Sequence, residues 1–365
     1  MSKFNNPNTS DYKRLERILN AMMPDPTEFG YVYPKEEISS DKKQLEAFKY
    51  TPEYKKGQER SDAKLLEKTF TDMLERGDWF GEFDLYGDDD DFFALKTFPT
   101  AEIDDAFNHI DVICMINNPI TNHETLPFAV DLTYNTDSDK MARKFRWKHV
   151  YGKKKSAPEG VSEFGESYVT KNHDGEEVLK TRPLPLKFRN GLKIPGFASA
   201  KYFEDKDDIW NPVHEKGRIP IMPRFIVGYS PDIASVLASG MPDEQFRQKY
   251  GEQEYQARRQ RFQSAERRAK WCTLLECYEQ ASNIRYMLEH MDEEETKWMS
   301  PEELEEAKKQ IIMIEEYFTK AIKLATEKAQ TDPDEMSAMQ YADRDVVRLA
   351  IIEHSSNTYL AKAWE

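Results

Sequence analysis

Two apolar, β-rich runs, IDVICMI (110–116) and LPFAVDLTY (126–134), each carry one aspartate, Asp111 and Asp131, twenty positions apart. Aspartate is depleted in strands and costly to bury without a partner. If the two runs are neighbouring strands in register, both carboxylates share one face and one edge of a sheet. Two carboxylates ~4 Å apart repel by about 4 kcal/mol at an effective dielectric near 20. They stay ionised together only with a cation between them, and magnesium or manganese, which favour oxygen ligands, suit that place. A metal held there would activate water and neutralise charge developing on a phosphate.

Other residues with chemistry cluster around this pair in sequence. Thr133 lies two beyond Asp131, on the same strand face, where it can donate a hydrogen bond but brings no charge. Lys140 or Lys144, on the helix expected just after the strand, can bring an ammonium instead. Asp105 can add an oxygen, although Asp104-Asp105 also fits a helix cap. His109 precedes Asp111 by two. The structural alternative is that both aspartates bond to loop amides or to basic residues at the sheet edge.

The elements that must position these residues follow from periodicity. Tyr12, Leu15, Ile18, Leu19 and Met22 predict a helix over about 10–22, stopped by Pro24 and Pro26. Residues 24–60 are polar and punctuated by proline, and read as an arm lying on something else. A second helix starts near Ser61, with Leu66, Phe70, Met73 and Leu74 on one face and Glu67 beside that stripe. The two aspartate strands come next, then a short helix with Met141, Lys144 and Phe145. Residues 152–195 read as an insertion, with VSEFGESYVT as a hairpin arm. KIPGFASAKYF and IPIMPRFIVGYS are two further strands, and PDIASVLAS a helix.

Beyond Gly240 the pattern turns helical. Residues 242–290 contain one proline, at the start, and one glycine, Gly251. Ser300-Pro301-Glu302-Glu303 supplies an N-cap, a first-position proline and a capping-box glutamate. Leu304, Ile311, Ile314, Phe318 and Ile322 form an apolar stripe behind it, and a third helix is expected over about 334–353. The organisation expected is an N-terminal helix and extended arm (1–59), an α/β core (60–240) with its insertion, and an α-helical module (241–365).

The order helix, strands, Asp111 strand, Asp131 strand, helix, strand, helix resembles the PD-(D/E)XK nuclease superfamily, a restriction-endonuclease-like α/β fold with a mixed sheet. In that family an acid on or before one core strand meets an acid-x-lysine on the next. HIDVICMI and FAVDLTY are the matching stretches, and the helix carrying Glu67 corresponds to the family's first helix. Asp131-Leu132-Thr133 occupies the acid-x-lysine slot, with Thr133 where lysine is expected. The strand pair, with Pro223-Arg224-Phe225-Ile226-Val227-Gly228 after it, is also similar to a group of uncharacterised bacterial proteins. The superfamily resemblance implies Asp111 and Asp131 as ligands of magnesium or manganese, with Glu67, Thr133, Lys140 and Lys144 around the reacting phosphate. Losing one electrostatic donor of this kind typically costs ~10²–10³ in rate. The expectation is a non-catalytic or weakly catalytic nuclease-like protein acting through protein or nucleic-acid interaction. A metal-dependent DNA or RNA endonuclease and a structural assembly subunit are the alternatives.

Composition sets the remaining bounds. The 365 residues carry a formal charge of −15, which repels polyanions overall. Two basic segments, 140–155 and 258–270, stand against that field as candidate nucleic-acid contacts, or as partners for acidic stretches such as 80–93 and 291–306. The C-terminal helices are candidates for a protein partner or self-association. No apolar run reaches the ~20 residues a membrane-spanning helix needs. The N-terminus lacks an apolar signal core, and three cysteines suit a reducing cytoplasm. GDDDDFF lacks the acid spacing of an EF-hand. Neither a phosphate-cradling glycine loop nor a nucleophile elbow is present in the sequence.

Overall fold

The computed structural model describes residues 23–50, most of 66–74 and 95–105, then 110–118, 124–133, 144–145, parts of 161–182, 196–203, 219–291 and 301–360. The helix expected over 10–22, together with Lys140, His109 and most of the basic segment 140–155, lies outside the described residues.

A mixed five-stranded, curled sheet forms the centre, in the order β1 (Leu95–Pro99), β2 (Val112–Asn118), β3 (Glu124–Thr133), β8 (Ile219–Gly228), β7 (Phe197–Ala200). β1, β2 and β3 are antiparallel neighbours, β3 and β8 run parallel, and β7 is antiparallel to β8. β4 (Val161–Ser162), β5 (Gly165–Lys171) and β6 (Glu177–Arg182) make a separate three-stranded sheet within the expected insertion.

Proline placement follows the ladder. Pro127 falls in the first half of β3, which pairs only with β2. Pro223 marks the place where β8 changes partner, pairing with β7 up to Pro223 and with β3 from Arg224 onward. A residue lacking an N–H is tolerated at such margins of pairing.

The helices are α1 (Lys35–Lys49), α2 (within 66–74), α3 (Pro231–Ala238), α4 (Glu244–Tyr250), α5 (Glu252–Glu289), α6 (Pro301–Ala329), α7 (Pro333–Ala342) and α8 (Val346–Tyr359). After residue 228 every regular element among the described residues is helical. Two details differ from the sequence reading. Residues 35–49, expected as part of an extended arm, form α1, whose few apolar anchors, Ile38 and Leu45, are buried among charged neighbours that mask the pattern. The helix expected over 334–353 is broken, because the Asp345 side chain accepts from Val347 N and Arg348 N (2.9 and 3.0 Å) and starts α8 afresh.

Strand alternation divides the core. Val112, Cys114, Ile116, Phe128, Val130 and Leu132 join Leu66, Phe70, Met73 and Leu74 of α2 and the apolar faces of α5 and α6. Phe318 of α6 sets its ring against Phe128 and Phe225, with centroids 5.8 and 5.9 Å away. The stripe of Ile311, Ile314 and Phe318 is thus fully buried inside the chain and needs no second copy to cover it. Ile113, Met115 and Ala129, on the alternate face, pack with Ala198, Ala200 and Met222.

α5 closes the open edge of β8. Beyond the end of β7, Arg224 N donates to Gly196 O (2.8 Å). The Gln280 amide then takes the next place in the ladder, accepting from Ile226 N (3.0 Å) and donating to Ile226 O (2.7 Å). The Glu276 carboxyl follows, accepting from Gly228 N (2.9 Å). Two side chains one helical turn apart therefore imitate a strand and satisfy backbone groups that burial would otherwise orphan.

Candidate functional site

The antiparallel register ends with Val112 paired to Val130, and Asp111, one residue before β2, also donates its N–H to Val130 O (2.9 Å). Asp111 therefore sits just before β2, close enough to Asp131 to feel its charge. Asp111 Oδ2 accepts from Leu132 N (2.6 Å), so its carboxyl is fastened to the partner strand. Burial, then the nearby charges of Asp131 and Asp105, push the Asp111 carboxyl well above the usual carboxylate range, with Lys144 and the Leu132 N–H opposing.

Asp131 is 3% exposed and both of its oxygens are taken. Lys144 Nζ donates to Oδ1 and also to Leu132 O (3.0 Å), while Arg224 Nη2 donates to Oδ2. β8 delivers Arg224 because Ala129 pairs with Arg224 in parallel register, which places Arg224 on the strand face of Asp131. Arg224 Nη1 reaches back to Lys144 O (3.4 Å), tying the two cations to one another.

Above this centre lies the end of α8. Phe145, next to Lys144, stacks on His354 (6.4 Å) and meets Tyr359 edge-on (6.2 Å). Burial pushes the Tyr359 hydroxyl up to about 12, with the Arg224 charge opposing. Thr133 is 5% exposed, and Gly228 across from it permits the approach of Val347 and Ile351 from α8. A longer side chain at Thr133 would have to displace that packing.

The structure thus brings together Asp111, Asp131, Thr133 and Lys144 of the residues singled out from sequence. Glu67 sits on α2, whose Phe70 packs near Tyr229 (6.4 Å) in the cluster of the even-numbered β3 residues, on the sheet face turned away from Asp131. Asp105 is felt by Asp111 as a like charge. Its neighbour Asp104 is a capping group, accepting from Lys201 N and Tyr202 N at 3.0 Å each.

Arg224 was not among the candidates. Its signal was a lone arginine in an otherwise apolar run, which a buried strand cannot accommodate without a carboxylate. Lys201 is a second case. Its ammonium, buried with its residue, bonds to Glu37 and Asp41 of α1 and lies 4.9 Å from the Tyr33 ring centroid. Tyr202 Oη also donates to Asp41 Oδ2 (2.7 Å). That cluster fastens α1 to the end of β7 and satisfies its charges internally.

The donor set does not fit a resident magnesium or manganese ion. Such an ion needs several free oxygens, whereas Asp131 has given both to cations and Asp111 has given one to a backbone amide. Among the described residues, no group of three or more His, Cys, Asp or Glu gathers with metal-binding geometry. No protein-family model, curated protein or solved structure matches the chain.

Proposed function

We propose that this protein is a nuclease-like, non-catalytic binding protein, in which the sheet with its closed aspartate pair supports a helical module that contacts nucleic acid. The observation that carries the non-catalytic reading is the double capture of Asp131 by Lys144 and Arg224. Catalysis of phosphate hydrolysis requires an oxygen ligand or base free to act, and here the central carboxylate is committed to structure. The displaced-lysine alternative keeps support from Lys144, whose ammonium does reach Asp131. Arg224 argues against it by taking the other oxygen.

Nucleic acid is favoured as partner by the surface of α4 and the first turns of α5. Arg258 lies 5.1 Å from the Phe246 ring centroid and Lys249 5.0 Å from Tyr250, while Arg247, 6.0 Å from Tyr255, pairs with Glu244 and Glu252. Arg259 and Arg261 are exposed, as is Tyr250. Cations interleaved with aromatic faces fit a single strand, giving charge to its backbone and stacking platforms to its bases. A cleft of about 450 Å³ between α5 and α7 is lined by Gln260, Gln263 and Arg268, with Arg267 paired to Asp334.

The test is binding of a fluorescent single-stranded oligonucleotide across a salt series, with cleavage followed in magnesium and manganese. We expect salt-dependent binding without cleavage. Reversing Arg258, Arg259 and Arg261 to glutamate should weaken it and flatten the log–log salt slope by about 2, at roughly 0.7 per lost phosphate contact. Metal-dependent cleavage that disappears in Asp131→Asn would establish the endonuclease alternative. Absence of salt-dependent binding would leave the sheet as the scaffold of an assembly subunit.

A further inference from the structure

We propose that Lys144 and Arg224 are built-in counter-cations of the Asp111–Asp131 pair, replacing a divalent ion and making the centre independent of metal. The inference deepens the reading of a closed aspartate pair, but it concerns the pair's electrostatics and stands apart from nucleic-acid binding.

The charges can be counted from the contacts. Asp111 and Asp131 together contribute at most two negative charges, and Lys144 and Arg224 bring two positive charges directly onto the Asp131 oxygens. Asp111 is held by the Leu132 N–H, within reach of the Asp131 charge. Asp105 is the next negative group facing Asp111, and Tyr359 is the titratable group of α8 nearest Arg224 in effect. A dication entering this centre would meet a site already neutralised. It would have to expel an ammonium or a guanidinium from a carboxylate in a poorly solvated place.

The two cations arrive from different elements, one after β3 and one from within β8. They are also joined, since Arg224 Nη1 donates to the Lys144 carbonyl. A fixed organic cation differs from a metal in two ways that matter here. It cannot be removed by chelation, and it supplies no bound water of lowered pKa to act as a nucleophile. The same substitution therefore accounts for permanent closure and for loss of the chemistry that two facing aspartates invite.

The experiment uses the full chain and manganese alone, without nucleic acid, read by calorimetry and by electron paramagnetic resonance of free manganese. Wild type should show no manganese binding that depends on Asp131 at millimolar concentration, and chelation should leave its melting temperature unchanged. Lys144→Met combined with Arg224→Met leaves the two carboxyls without a cation. That variant should bind manganese at least tenfold more tightly than wild type, melt higher when manganese is added, and lose both properties on Asp131→Asn. Arg224→Lys, which keeps the charge, should gain nothing. Manganese binding by wild type that vanishes in Asp131→Asn would overturn the proposal. So would a folded double variant that binds no manganese. Should the double variant fail to fold with or without manganese, the wild-type measurement still decides. Because no nucleic acid enters the assay, its failure would leave the binding surface on α4 and α5 untouched.

Discussion

Replacing Gly228 with alanine adds one methyl where β8 runs beneath α8. A Cβ built there lies 2.5 Å from Val347 Cγ1, 2.7 Å from Ile351 Cδ1 and 3.0 Å from Thr133 Cγ2. Comfortable carbon–carbon contact is ~3.5–4.0 Å, so two α8 side chains must each retreat by about 1 Å. The backbone raises no separate objection, because Gly228 is not among the glycines with positive φ. The effect is therefore steric, and overpacking of this kind costs about 1–3 kcal/mol. For a chain of 365 residues that corresponds to a fall of roughly 1–4 °C in melting temperature. Val347→Ala removes the nearest clashing carbon and supplies the control. In a double-mutant cycle, Gly228→Ala and Val347→Ala should be less than additive by about 0.5–3 kcal/mol. Urea unfolding followed by circular dichroism gives the free energies, and hydrogen exchange should locate the loosening in α8. A Gly228→Ala protein as stable as wild type, or strict additivity with Val347→Ala, would refute the claim that α8 is seated on β8 through this glycine.

Two further outcomes follow from buried polar groups. Gln280→Leu removes both bonds to Ile226 while keeping bulk, and should cost about 2–5 kcal/mol, since each orphaned backbone group carries a desolvation penalty of ~1–3 kcal/mol; a loss under 1 kcal/mol in urea unfolding would show that α5 does not stand in for a strand. Burial also pushes the Glu276 carboxyl well above its usual range, against the Gly228 N–H, as it does for Asp111. A raised carboxyl pKa contributes stability that is whole below the unfolded value of about 4 and is lost as pH rises through the folded value. Wild type should therefore lose stability relative to Glu276→Gln and to Asp111→Asn as pH increases from about 4; a relative gain for wild type over that range would contradict the assigned direction.

Sequence by itself determined the elements whose pattern is strong and local. The strands containing Asp111 and Asp131 alternate or run apolar between turn residues, and the stripe behind Ser300-Pro301 repeats at helical spacing, so their type is legible without a fold. The switch to helix after Gly240 is equally local. It also marked Asp111, Asp131 and Lys144 as residues worth watching, because two acids in apolar strands need an explanation and a nearby lysine can provide one.

Tertiary structure alone decided what the pair is attached to. Antiparallel pairing of β2 and β3 brought Asp111 onto the Leu132 N–H beside Asp131, and parallel pairing of β3 with β8 carried Arg224 to the second oxygen of Asp131 from 93 positions away. α1 was hidden because its two apolar anchors and its Asp41 find their partners, Tyr202 and Lys201, some 160 positions away. The same holds for Glu276 and Gln280, polar residues on a long helix that read as solvent-facing until the open edge of β8 claims them. Local periodicity reports the average environment of a face. A buried charge or amide is specified by one partner, and that partner is chosen by strand order and helix docking, which no window of adjacent residues contains.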